Sequence, residues 1–83
     1  MSFQLFTRVA LKEDLPEQGL QRGDVATIVE AHDGRAGQEP GYSLEVCNAV
    51  GETLVVLVVR ESQIEPLAPD EVLHVRHLDE VMA

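Results

Sequence analysis

Eighty-three residues suffice for one small domain and are too few to bury a deep pocket ringed by several catalytic groups. Fifteen acidic residues face six basic ones, with Lys12 the single lysine, for a net charge of −9. That disfavours nucleic acid and anionic membrane surfaces, which are held by Lys and Arg, and is compatible with a basic protein partner.

The elements follow from hydrophobic periodicity. Thr7, Val9 and Leu11 alternate with Arg8, Ala10 and Lys12, the period of a half-buried first strand. Residues 13–24 carry Pro16, Gly19 and Gly23 and are a loop, with Leu15 and Leu20 expected to fold back onto the core. Val25 to Ala31 is β-branched and bounded by Gly23 and Gly34, a second strand. His32 to Gly41 holds three glycines and a proline among polar residues and is a loop longer than a tight hairpin requires. Tyr42, Leu44 and Val46 alternate with Ser43, Glu45 and Cys47 in a third strand with one wet face. Asn48 to Gly51 is a turn, Thr53 to Arg60 a fourth strand, Ser62 to Ile64 one tight helical turn, and Glu65 to Leu67 a short closing strand whose Pro66 suits only an edge or a strand start. Short strands separated by turns at this spacing predict a mainly β fold, a five-stranded, mostly antiparallel barrel over residues 5–67. Beyond it, Pro69, Asp70 and Glu71 suit a helix N-terminus, and Val72, Val75, Leu78 and Met82 share one helical face; the alternative, a strand over Val72 to Leu78, mixes polar and apolar residues on both faces. The expected organisation is a barrel domain over 1–68 and a short amphipathic C-terminal helix or tail over 69–83.

The stretch Glu13-Asp14-Leu15-Pro16-Glu17-Gln18-Gly19-Leu20-Gln21-Arg22-Gly23-Asp24-Val25-Ala26-Thr27-Ile28-Val29-Glu30, followed by Tyr42-Ser43-Leu44-Glu45-Val46 and Thr53-Leu54-Val55-Val56-Leu57, resembles a family of small bacterial proteins, domain-of-unknown-function family 4926. The resemblance spans roughly residues 5–67, and Asp14 to Asp24 is its most specific part. It implies an SH3-like barrel related in shape to KOW-type domains, and no activity. Ala26 stands where that family usually has glycine, the loop from His32 to Gly41 looks extended, and the tail from Pro69 lies beyond the common core.

Catalytic constellations are thin. No serine sits in a nucleophile-elbow context, Cys47 has no positive neighbour placed by the sequence, and no glycine pattern cradles a phosphate. No cofactor is expected. His74 and His77 are three residues apart beside Glu71, Asp79 and Glu80, an incomplete ligand set that reads better as a solvated surface. Only three aromatic residues are present, Phe3, Phe6 and Tyr42, too few for base stacking. Cys47 is the one cysteine, the N-terminus shows no basic segment followed by an apolar one, and no apolar run is long enough to span a bilayer; a cytoplasmic protein without a membrane segment is expected.

The most informative stretch is Leu54 to Val59, six consecutive aliphatic residues. A strand with one wet face uses half of them inside, so Leu54, Val56 and Val58 are left outside, an aggregation hazard unless covered. The stripe Val72, Val75, Leu78 and Met82 is the nearest complement, in the same chain or in a homodimer. Glu13, Asp14 and Glu17 form an acidic loop able to meet a basic protein. The expected function is therefore a non-enzymatic acidic protein-binding module, an accessory subunit or an antitoxin- or immunity-like binder of a basic partner. A KOW-like nucleic-acid or ribosome-associated module, and a small metal protein using His74 and His77, are the alternatives.

Overall fold

The computed structural model describes residues 3–78, among which are five antiparallel strands and two isolated 3-10 turns. The strands are β1 (Arg8–Leu11), β2 (Val25–His32), β3 (Gly41–Cys47), β4 (Thr53–Arg60) and β5 (Ile64–Pro66), in the sheet order β4-β3-β2-β1-β5.

Each connection has a local cause. After β1 the chain rounds a 3-10 turn at Pro16–Gln18, where proline supplies the fixed φ of a first helical residue. Gly19 closes the turn at φ 73°, a left-handed conformation that costs glycine little. Leu15 and Leu20 then exchange backbone hydrogen bonds of 2.9 and 3.1 Å, and Leu20 is buried, as the sequence leads one to expect. Between β3 and β4 the Asn48 side-chain oxygen accepts from the N–H groups of Val50 and Glu52, at 3.1 and 2.8 Å, an Asx turn completed by Gly51 at φ 89°.

One face of the sheet carries the core. β1 contributes Val9 and Leu11, β2 Ala26 and Ile28, β3 Tyr42, Leu44 and Val46, β4 Leu57 and Val59, and β5 Ile64. Phe3, Leu15, Val55 and Leu78 pack at its margin. Ala10 is also buried, so β1 is covered on both faces where alternation predicts one. Two irregularities, between Ile28 and Glu30 of β2 and opposite Val46/Cys47 at Leu54 of β4, break the ladder. Such bulges sharpen the local twist of a sheet.

Two expectations are corrected. The sheet does not close into a barrel: β4 and β5 are its two edges. β5 has three residues and ends on Pro66, which has no N–H, so it cannot carry a second ladder. The expected C-terminal helix is also absent: among the described residues the only helical elements are the 3-10 turns Pro16–Gln18 and Glu61–Gln63. Residues 71–78 have no regular structure, and a single turn at Ala68–Glu71 marks where the helix was expected to begin. Val72 and Val75 are β-branched, isolated helices this short are marginal, and neither valine is buried against the sheet. Met82, Asp79 and Glu80 lie outside the described residues. Among the described residues no helix is long and apolar enough to cross a membrane.

Candidate functional site

Among the described residues, the outer face of β4 is an apolar strip of the sheet left in solvent. Val55, Leu57 and Val59 turn inward, while Leu54, Val56 and Val58 are 45, 60 and 68% exposed. Their neighbours on β3 are polar: Val56 pairs with Glu45 and Val58 with Ser43. Glu45 accepts a hydrogen bond from the Thr53 hydroxyl at the start of β4. The aliphatic strip is thus one strand wide and runs along the edge of the sheet.

The described part of the tail, up to Leu78, does not cover it. Val72 and Val75 are 90 and 86% exposed, and Leu73 is half exposed. What ties the tail down is Arg76, whose guanidinium forks onto both oxygens of Asp24, with Nε to Oδ1 at 3.0 Å. Leu78 follows and packs at the margin of the core. Of the described residues of the expected stripe, Leu78 meets the body of the same chain, while Val72 and Val75 do not. The residue that anchors the segment, Arg76, carried no sequence signal, because its partner lies 52 positions away.

The acidic loop is largely engaged in its own architecture. Asp14 accepts from the Arg22 N–H at 2.8 Å and Glu13 from the Gln63 side-chain amide at 2.9 Å. Glu17 is exposed on the Pro16–Gln18 turn. These three residues do not meet β4's aliphatic strip through any of these contacts. His74 and His77 are exposed, and among the described residues no group of three His, Cys, Asp or Glu side chains converges on a point where a metal could sit. Cys47 is exposed and unpaired.

Two polar pairs were not legible in the sequence. His32 Nε2 lies 2.8 Å from Ser43 Oγ, and Glu30 Oε1 is 4.0 Å from the same nitrogen. A nucleophilic serine needs a base whose other nitrogen is oriented by a carboxylate, and exposure to substrate. Here both contacts fall on one nitrogen and Ser43 is 8% exposed, so the pair serves to satisfy a covered hydroxyl. Tyr42 Oη accepts from the Phe3 N–H and donates to Glu61, both at 3.0 Å, pinning the N-terminal segment and the second 3-10 turn to β3. Burial raises the Tyr42 pKa above its ordinary value; the Phe3 N–H opposes the shift and the Glu61 carboxylate adds to it.

No curated protein and no solved structure matches the chain significantly. The family model described as domain of unknown function (DUF4926) matches residues 5–66, a span that takes in all five strands, so the chain belongs to that family.

Proposed function

We propose that this is a non-enzymatic protein-binding domain, an open SH3-like sheet whose contact surface is the outer face of β4. One observation carries the reading: Leu54, Val56 and Val58 lie in a row, exposed, on an edge strand with no charge between Thr53 and Val59. Natural edge strands are usually blunted by charge, proline or a covering segment. Among the described residues, the irregularity at Leu54 is the one such device on β4. At roughly 25 cal/mol per Å² of apolar area, covering such a strip stabilises a complex by several kcal/mol. The net charge of −9 supports a basic partner, because opposite fields speed encounter and suppress wrong pairings. An antitoxin- or immunity-like role and a cytoplasmic location belong to this same reading.

The test compares the wild-type chain with Val56→Lys/Val58→Lys as immobilised bait in native-cell extract. Both positions face solvent, so the double variant keeps the sheet. The expected result is a protein of positive net charge retained by the wild type and lost with the variant. If the two baits retain the same proteins, β4 is not the contact surface.

A further inference from the structure

The same strand offers backbone as well as side chains. Glu61 donates its N–H to the Pro40 carbonyl at 2.9 Å, in step with the pairs Tyr42↔Val59 and Leu44↔Leu57. Bonding residues alternate along an antiparallel ladder. Val55, Leu57 and Val59 therefore direct their N–H and C=O groups to β3, and Val56 and Val58 direct theirs to the open edge. Arg60 shares the outward phase, but its N–H is taken by the Gln63 side chain at 2.8 Å. At the other end the ladder is broken at Leu54. The regular open edge is thus centred on Leu57, and it is self-complementary about that residue.

Charge decides the direction of pairing. Arg60 stands at the end of β4, where its guanidinium approaches Glu39 at 3.7 Å and is two-thirds exposed. Glu52 precedes the strand, and Glu45, held by Thr53, lies beside its first residues. Two β4 strands placed antiparallel bring Arg60 of each copy to the acidic end of the other; placed parallel, they bring arginine to arginine. Stacking the outer faces of two sheets is disfavoured, because it would bring the carboxylates Glu30 and Glu45 of both copies into one interface.

We propose that β4 is a homodimerisation edge: two copies pair their β4 strands antiparallel about Leu57, joining two five-stranded sheets into one, with Arg60 of each copy over the Glu45–Glu52 end of its partner. Val56 of one copy exchanges backbone hydrogen bonds with Val58 of the other, and the two aliphatic strips merge along the seam. This rests on the reading of β4 as a protein-contact strand and names what occupies its edge.

Sedimentation of the full chain over a concentration series, with amide hydrogen exchange read at Val56 and Val58, tests it. A dimer is expected in which those two amides exchange at least tenfold more slowly than in the dilute monomer. Val58→Pro removes one edge donor and no bond to β3, and is expected to weaken association at least a hundredfold. Val56→Lys, which needs no change of backbone, does the same should the proline variant fail to fold. Arg60→Glu is expected to weaken it about tenfold, and Arg60→Lys to retain most of it. A chain that stays monomeric at millimolar concentration, or a dimer whose Val56 and Val58 amides exchange as in the monomer, overturns the proposal. If the monomeric chain still retains a basic partner through β4, only the second copy is excluded; if Val56→Lys/Val58→Lys also leaves capture unchanged, the contact reading falls with it.

Discussion

Tyr42 is the residue on which the most distant parts of the chain converge. Alternation along β3 is enough to place its ring inward, but not to foresee its hydroxyl partners, which lie 39 and 19 positions away. Its ring meets Phe3 edge-on, with centroids 5.7 Å apart. Tyr42→Phe keeps that contact and removes both hydroxyl bonds, leaving the Phe3 N–H without that acceptor. A loss of about 1–2 kcal/mol is expected in denaturant unfolding. A pH dependence follows from the raised pKa. The neutral phenol is favoured in the folded chain, while in the unfolded chain it ionises around its ordinary 10.0. The contribution is therefore complete below pH 10 and is lost as pH rises from there through the higher folded value. With one tyrosine and no tryptophan, ultraviolet absorbance titrates this group alone. Its midpoint should lie above 10 in the native protein and fall to about 10 in denaturant; a native midpoint at or below 10 contradicts the assignment. The Ser43–His32 pair was hidden for a related reason. It depends on a bulge near Val29 that sets which residue of β2 stands opposite Ser43, and no composition or period announces a bulge.

At the scale of elements, the sequence served best where local chemistry decides the structure. The Asn48–Gly51 turn, the Leu15–Leu20 closure and the five strands each rest on residues that act within a few positions of themselves. Closure and the tail rest on something else. Whether a sheet becomes a barrel depends on whether its last strand can carry two ladders, and the three residues ending at Pro66 cannot. The periodicity of Val72, Val75 and Leu78 marks one side of a hypothetical helix, and periodicity cannot supply a surface against which that side is buried. The segment instead takes its course from Arg76 on Asp24 and from Leu78 at the core. Asp24 also accepts the Gln21 N–H at 2.8 Å, so it is fixed by the turn before the arginine arrives. Arg76→Ala is accordingly expected to lower stability by about 1–2 kcal/mol, a hydrogen-bonded ion pair discounted for partial exposure. It should also speed proteolytic cleavage within residues 69–78 while leaving the five strands protected. Unchanged cleavage there would mean that Arg76 does not hold the tail.

For the whole molecule, charge sets the terms on which any partner approaches. Fifteen acidic side chains against six basic ones leave little for a phosphate backbone, and Arg76 is engaged with Asp24 and Arg60 with Glu39. No salt-sensitive mobility shift with RNA or DNA is expected at physiological salt. The same charge acts against a second copy. Two bodies of charge −9, centred about 26 Å apart if each has the radius of gyration of 12.9 Å, repel by roughly 5 kcal/mol at 0.01 M salt and about 1 kcal/mol at 0.1 M, treating each as a point charge. The Arg60 contacts across a β4 seam are exposed ion pairs, each worth about 0.2–1 kcal/mol and weakened by the same salt. Repulsion between whole molecules therefore outweighs local attraction in the salt dependence, although the local pairs fix the direction of pairing. The difference of roughly 4 kcal/mol between the two salts exceeds the roughly 1.36 kcal/mol of a tenfold change, so at least a tenfold effect is expected. Dimerisation is expected to strengthen by that factor or more between 0.01 and 0.1 M salt, read as a fall in the dissociation constant by sedimentation. A heterologous basic partner bound to the same strand would show the opposite slope, since screening removes an attraction. The sign of the salt dependence thus separates self-association along β4 from capture of a basic protein.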